Sequence, residues 1–172
     1  MKHTILFILL LTIASCEQTD PNRSTERLVE QQTVADVDAR AMDSTMIKQK
    51  VYVPIYSDIY QKSRNDRTLL TATMSIRNTS ERDSLFLSRV DYFDTRGSMV
   101  RSYVDKTVYL QPMETIDFVI EENDTLGGSG ANFILEWYGQ KDMQPVFQAV
   151  MIGGLGNKVF AFTTQGSIIL EQ

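Results

Sequence analysis

The sequence predicts an all-β fold, a sandwich of two antiparallel sheets that is immunoglobulin-like in broad topology. From Val51 onward, apolar and polar residues alternate in short runs, which is typical of strands with one buried face. Turn-forming residues separate these runs, and no helical pattern lies between them. A small β-barrel is the alternative. The comparison with immunoglobulins concerns architecture only, because a chain with one cysteine lacks their disulfide.

We expect roughly eight short strands among ten candidate segments, at the spacing of a sandwich. Leu70, Ala72, Met74 and Ile76 alternate with polar residues and give the clearest half-buried strand. The candidate segments are residues 51–56, 70–77, 86–93, 99–104, 108–110, 116–120, 133–138, 146–152, 159–163 and 167–170.

Three irregularities are expected within these strands. Pro54 cannot donate a ladder hydrogen bond, so its strand is predicted to lie at a sheet edge. Leu85 and Leu87 fall on the opposite alternation phase from the rest of their strand, which predicts a bulge near Ser88. The connection between the last two long strands is expected to contain three glycines, Gly153, Gly154 and Gly156.

The N-terminus has the pattern of a bacterial lipoprotein signal. Lys2 precedes an uncharged apolar run, residues 5–13, which is too short to span a bilayer. The run ends in Ala14, Ser15 and Cys16, which resembles the lipobox. This resemblance implies cleavage before Cys16 and acylation of its thiol.

The expected organisation follows from that signal. We expect a signal peptide at residues 1–15, a lipid-anchored polar tether at 16–49 and the β-sandwich domain at 50–172. The tether contains loosely spaced apolar residues at 28–42 that are compatible with a short helix. Acyl chains would hold the protein on a membrane. Because Glu17 follows the cysteine, we expect an outer-membrane location facing the periplasm or the cell surface.

Composition excludes most catalytic chemistry. Cleavage would remove His3, the only histidine, and would commit the only cysteine to lipid. Histidine-based triads, histidine general bases, thiolate zinc sites and haem ligation are then unavailable. Loss of Lys2 from 17 basic residues leaves 16 against 22 acidic ones, a charge of −6 that argues against nucleic acid. We therefore expect no enzyme activity, no nucleic-acid partner and no cofactor, with Ca²⁺ as the one candidate.

The glycine-rich stretch at residues 121–132 is the first candidate site. Glycines allow a backbone to approach a ligand closely, and carboxylate and amide oxygens suit Ca²⁺. The spacing matches neither an EF-hand nor a P-loop. A long hairpin connection whose glycines meet turn geometry is the alternative. The candidate ligand residues are Glu122, Asp124, Gly127, Gly128, Ser129, Gly130 and Asn132.

A second candidate is a partner-binding surface made by Tyr52, Tyr56, Asp58 and Tyr60. Exposed tyrosines bury area at low entropic cost and keep a polar group, which favours binding. These rings are equally compatible with the core or the sheet edge. Asp91 and Asp94 could form a paired-carboxylate site, but an Asp-Thr-Arg-Gly stretch is typical of a turn capped by its first residue.

Four segments together resemble a bacterial family of secreted proteins and lipoproteins known as domain of unknown function 3124. The resemblance extends over about residues 51–166. This chain departs from the family pattern at Asp58, where members often carry histidine. The family implies no activity, cofactor or catalytic residue. The segments are VYVPIY at 51–56, LTATMSIRN at 70–78, VDYFD at 90–94 and GGSGANF at 127–133.

Together these observations predict a non-catalytic cell-envelope lipoprotein. Its sandwich is expected to bind an envelope protein or a glycan through loops or an edge strand. A carboxylate-dependent envelope hydrolase, acting for example on glycans, is the alternative function. The identity of the ligand and the oligomeric state are left open by the sequence.

Overall fold

A computed structural model describes residues 45–171 of the chain, which contain eleven strands and no helix. None of these elements is therefore a helix long and apolar enough to cross a membrane. Residues 1–44, with the predicted signal peptide, Cys16 and the candidate helix at 28–42, lie outside the described residues. The strands are β1 (Met46–Pro54), β2 (Asp58–Tyr60), β3 (Arg67–Arg77), β4 (Leu85–Phe93), β5 (Met99–Ser102), β6 (Val108–Leu110), β7 (Thr115–Ile120), β8 (Asn132–Gln140), β9 (Val146–Leu155), β10 (Lys158–Gln165) and β11 (Ser167–Glu171).

The strands form two sheets in which every pairing is antiparallel. The six-stranded sheet has the order β11-β1-β8-β4-β5, and β6 also pairs with β4. The five-stranded sheet has the order β10-β9-β3-β2, and β7 also pairs with β3. The sheets do not close into a barrel, so the sandwich prediction is confirmed and the barrel alternative is wrong.

One hydrophobic core fills the space between the sheets. In β3, Leu70, Ala72, Met74 and Ile76 are fully buried, which confirms the predicted alternation. From the opposite sheet, Phe133, Leu135 and Trp137 of β8 enter the same core. Alternation produces this arrangement because successive side chains of a strand point to opposite faces.

The predicted bulge in β4 is confirmed. The register of β4 with β8 shifts between Leu87 and Arg89, which leaves Ser88 without a partner residue. Leu85 and Leu87 before the shift and Val90 after it are all buried. The extra residue therefore brings both alternation phases to the core side of one strand.

The edge position predicted from Pro54 is wrong. Its strand, β1, lies between β11 and β8 inside the six-stranded sheet. However, β11 pairs only with residues 49–52 of β1, so Pro54 lies beyond the end of that ladder. On the side that faces β11, the missing N–H of Pro54 therefore costs no hydrogen bond between strands. The Pro54 carbonyl accepts a hydrogen bond from Thr164 Oγ1 at 2.6 Å.

Two glycines predicted to lie between strands are instead part of β9. This strand continues through Gly153 and Gly154, and the turn contains Gly156 at φ +59°. A Cβ on Gly153 would overlap the Leu70 side chain and lie 2.9 Å from Phe160 Cζ. Gly153 is therefore needed for close packing within the sheet.

Strand structure also begins earlier than expected. β1 starts at Met46, inside the segment 16–49 that was expected to be tether. Lys48 and Lys50 alternate with buried Gln49 and Val51. The alternation is therefore present, but it is not visible as an apolar pattern because the buried residue Gln49 is polar. The short β2 was not predicted, whereas the last strand was correctly expected at 167–170.

Candidate functional site

The structure brings the glycine-rich loop and part of the predicted tyrosine surface together at one edge of the sandwich. Ser57, just before β2, donates its backbone N–H to the Gly128 carbonyl at 3.1 Å. In return, the Gly128 N–H donates to Ser57 Oγ at 2.7 Å. The glycine-rich loop and the β1–β2 connection are therefore fixed against each other, which places Asp58 and Tyr60 beside Ser129.

Arg67 is the residue that connects these groups, and sequence reasoning missed it. Its Nη2 lies 3.1 Å from Asp58 Oδ1 and donates to the Tyr60 hydroxyl at 3.0 Å. The same nitrogen lies 3.5 Å from Ser129 Oγ, and the guanidinium carbon is 4.5 Å from the Tyr60 ring centroid. We call Ser57, Asp58, Tyr60, Arg67 and Ser129 the loop cluster.

The β2–β3 hairpin sets the geometry of this cluster. Tyr60 pairs directly with Arg67, and Asp58 pairs with Leu69 in the same ladder. Directly opposed residues bring their side chains within contact distance on the same face. The guanidinium can therefore lie over the ring while it reaches back to the carboxylate.

Asp58 is the buried charged residue of the loop cluster, with 4% of its surface exposed. Its Oδ1 accepts no well-aligned hydrogen bond, although Arg67 lies within ion-pair distance. A buried carboxylate is tolerated only when a partner compensates its charge. Arg67 supplies that charge, and its own side chain remains 40% exposed.

The glycines of the loop are explained by turn geometry and close packing. A Cβ on Gly127 would overlap the hydroxyl of buried Tyr92, and Gly128 has φ +82°. Thr95 forms three hydrogen bonds with the loop backbone. Its N–H and Oγ1 donate to the Gly127 carbonyl at 2.8 and 2.9 Å, and its Oγ1 accepts from the Gly130 N–H at 2.9 Å.

The Tyr92 hydroxyl, which lies against this loop, is neutral near physiological pH. Burial raises the pKa of Tyr92 to about 12, and the nearby Ser57 hydroxyl opposes this effect only in part. The Tyr92 hydroxyl has no well-formed hydrogen bond among the described residues. Its role here is therefore packing against Gly127.

Asp124, one of the candidate Ca²⁺ ligands, already has other partners. Asp124 Oδ2 accepts a hydrogen bond from Arg101 Nη2 at 3.1 Å, and its Oδ1 accepts from the Leu126 N–H at 3.2 Å. Glu122 is exposed, and Asn132 is the first residue of β8, in register with Pro54 of β1. Across residues 45–171, no three acidic, histidine or cysteine side chains are grouped to hold a metal ion.

The predicted tyrosine surface is divided. Tyr60 is 53% exposed and belongs to the loop cluster. Tyr56 packs edge-to-face on Phe162 of β10, with ring centroids 5.7 Å apart. Tyr52 lies half-buried opposite Ile134 on β8. Only Tyr60 and Asp58 therefore take part in the cluster that Arg67 organises.

Asp91 and Asp94 each have their own partners. Asp91 is buried and forms an ion pair with Arg89. Asp94 Oδ1 accepts hydrogen bonds from the backbone N–H groups of Arg96 at 2.8 Å and Ser98 at 2.7 Å. Asp94 therefore caps its own turn, as the Asp-Thr-Arg-Gly stretch predicted.

A second charged group, not anticipated from the sequence, surrounds Glu136 on the outer face of the six-stranded sheet. Its carboxylate oxygens lie 3.1 Å from Lys48 Nζ, 3.2 Å from Lys50 Nζ and 3.4 Å from Arg89 Nη1. Burial alone would raise the pKa of Glu136, but hydrogen bonds from Lys48, Lys50 and Arg89 outweigh it and the pKa is lowered. We call these four residues the Glu136 cluster.

Comparison with known proteins identifies a family. The family model described as "Protein of unknown function (DUF3124)" matches residues 48–169. No match was found among curated proteins. A crystal structure of Thermotoga maritima 1070 is similar at 15% sequence identity and a TM-score of 0.38, covering 69% of this chain and 92% of that chain. The family match spans both sheets, and the chain belongs to the DUF3124 family.

Proposed function

We propose that this protein is a non-catalytic module of the bacterial cell envelope, anchored by lipid at Cys16, that binds a protein partner through the loop cluster. In this proposal it resides at the outer membrane and faces the periplasm or the cell surface. The observation that carries the proposal is the half-exposed Arg67 held over exposed Tyr60.

Arginine and tyrosine are the residue types that concentrate binding energy at interfaces. Arg67 is held in place by Asp58, Tyr60 and Ser129, so little side-chain freedom remains to be lost on binding. Such preorganisation reduces the entropic cost of association. The locked glycine loop provides a rigid surface beside these two side chains.

The chemistry of the carboxylates favours binding over hydrolysis. Glycoside hydrolysis needs two carboxyl groups that face each other across the substrate. Asp58, Asp91 and Asp124 are each engaged by an arginine, and Asp94 caps a turn. The chain after Cys16 also contains no histidine.

Crosslinking in intact cells tests partner binding. A photo-reactive amino acid at Lys62, exposed beside Tyr60, should trap a distinct protein, because any partner on the loop cluster must pass close to it. The same probe at Met113, 65% exposed, should not trap that protein. Met113 lies two residues before Thr115 of β7, and Thr115 pairs with Arg77 of β3. Met113 is therefore at the opposite end of β3 from Arg67.

A matched pair of substitutions identifies the responsible side chain. Arg67→Gln should abolish the Lys62 adduct, whereas Arg64→Gln, in the same hairpin and exposed, should preserve it. Equal trapping at Lys62 and Met113 would contradict the proposal. A heterogeneous adduct removed by glycan-cleaving enzymes would show that the ligand is a glycan rather than a protein.

The lipid anchor has its own test. Cys16→Ala should abolish labelling with a palmitate analogue and release the protein into the soluble fraction, because the thiol is the acylation site. A Cys16→Ala protein that still incorporates the analogue would overturn the anchoring proposal.

A further inference from the structure

The outer edge of β10 is open among the described residues. β10 pairs with β9 along its whole length, from Lys158 to Gln165, and it is the last strand of the five-stranded sheet. No strand in residues 45–171 pairs with its other side. An edge of this kind presents a row of backbone N–H and C=O groups that another strand can bind.

This edge lacks the features that usually prevent strand addition. Its register with β9 contains no bulge, its sequence contains no proline, and its only charge is Lys158 at the turn. Val159 is 78% exposed, and Ala161 and Thr163 are also exposed. Natural edge strands are commonly protected by charge, proline, a bulge or short length.

The sheet surface beside β10 is also uncharged. Ala161 lies in register with Ile152 and Thr71, and Thr163 lies in register with Val150 and Thr73. Ile152 is 48% exposed. We call this surface the uncharged face; it consists of Thr71, Thr73, Val119, Val150, Ile152, Ala161 and Thr163.

β10 is held in place before any partner arrives. Thr164 Oγ1 donates to the Pro54 carbonyl at 2.6 Å, and the Phe162 ring contacts Tyr56. The Gly166 N–H donates to the Phe147 carbonyl at 2.8 Å just after the strand. A fixed edge strand loses little conformational freedom when it pairs.

We propose that β10 pairs antiparallel with β10 of a second copy of this chain, joining two five-stranded sheets across a two-fold axis. A two-fold interface must be complementary to itself. A register centred on Ala161 satisfies this condition, because it faces Val159 with Thr163 and Lys158 with Thr164 of the other copy. No like charges then oppose each other, and the small Ala161 side chains meet on the axis.

The proposed dimer would leave the loop cluster free. β3 pairs with β9 on one side and with β2 on the other, so β2 and β10 lie at opposite edges of the sheet. Two loop clusters on one dimer could then engage partners at the same time, which raises avidity. The dimer and the proposed partner binding are thus separate and can fail separately.

Disulfide trapping in intact cells tests the dimer with the full chain. Ala161→Cys should give a covalent species of twice the chain mass, because directly opposed residues of antiparallel strands lie within disulfide reach. Leu126→Cys, with 65% exposure at the original residue, should remain monomeric. Trapping of a different protein at position 161, or equal dimer at both positions, would overturn the proposal.

Light scattering on the purified full chain in detergent gives a second test that does not depend on a disulfide. Ala161→Lys should weaken self-association roughly a hundredfold, because it brings like charges together on the axis. Ala161→Thr should retain the dimer. A monomeric wild-type chain, or an Ala161→Lys chain with unchanged dimer mass, would refute the proposal, and Lys62 trapping should be unaffected by either variant.

Discussion

The outer faces of the two sheets differ in their charged side chains, although both sheets pack on one core. The six-stranded sheet carries the Glu136 cluster and a stack of Phe86 on Tyr138, with ring centroids 4.9 Å apart. The five-stranded sheet carries the uncharged face and ends at β10, whose outer edge pairs with no strand in residues 45–171. Charges on the first face are paired and partly exposed, so bringing a partner there requires the removal of their remaining water. The uncharged face beside β10 imposes no such cost, whereas Arg67, Arg77 and Asp117 lie elsewhere on the outer side of the same sheet.

Both proposed association surfaces lie on the five-stranded sheet. The loop cluster is at its β2 edge, and the proposed dimer forms at its β10 edge. The six-stranded sheet instead carries the ion pairs around Glu136. The predictions below separate the shared core from the individual surfaces.

The largest effect is expected in the shared core. Phe133 is fully buried and its ring lies 5.2 Å from Tyr92 and 6.4 Å from Phe118 of the opposite sheet. Phe133→Ala should lower the free energy of unfolding by about 3–5 kcal/mol, measured by denaturant titration. Ile134→Ala, on the outer side of the same strand, should cost clearly less. Equal losses would mean that the two sheets do not share a core at this position.

A smaller loss is expected at the loop cluster. Arg67→Ala leaves the buried Asp58 carboxylate uncompensated and should cost about 1–3 kcal/mol of unfolding free energy, reduced by the partial exposure of Arg67. Arg64→Ala should change stability by less than about 0.5 kcal/mol. Adding Asp58→Asn to Arg67→Ala should recover part of the loss, and a purely additive double variant would argue against the pairing.

The Glu136 cluster should contribute still less to the free energy of unfolding, and its contribution should depend on pH. The pKa of Glu136 is lowered in the folded state, so its contribution is present above the ordinary carboxyl value of 4.5 and is lost as the pH falls below it. Glu136→Gln should therefore cost about 0.5–1 kcal/mol near neutral pH. The difference from wild type should shrink in acid, and a difference that grows in acid would show the opposite sign of the pKa shift.

The smallest stability effect is expected on the uncharged face. Ile152→Thr removes an exposed apolar side chain and should change the free energy of unfolding by less than about 0.5 kcal/mol. Thermal unfolding of the two proteins at matched concentration measures this. A large loss would indicate that Ile152 is part of the core rather than of an association surface.

The sequence was sufficient to predict the half-buried strands and the bulge. Alternation in β3, β7 and β8 follows directly from one buried face, and the phase change after Leu87 locates the bulge at Ser88. These features are local, because each depends on residues within a single strand. The Asp-Thr-Arg-Gly turn was likewise predictable from Asp94.

The loop cluster was not predictable because it depends on register between strands. Asp58 and Arg67 meet only through β2, which has three residues and therefore no visible alternation. The basic residues around Glu136 belong to β1 and β4. They meet Glu136 only because the strand order of the sheet places β8 between these two strands. Gly153 likewise depends on the side chains of Leu70 and Phe160 on adjacent strands. Tertiary context decides all three.

Photo-crosslinking at three positions in the same cells tests most directly whether association is confined to the five-stranded sheet. The positions are Lys62 beside the loop cluster, Val159 on β10 and Tyr109 on the outer face of the six-stranded sheet. Lys62 should trap a distinct protein, Val159 should trap a second copy of the chain, and Tyr109 should trap neither. A dominant adduct at Tyr109, with none at the other two positions, would contradict the assignment of the association surfaces.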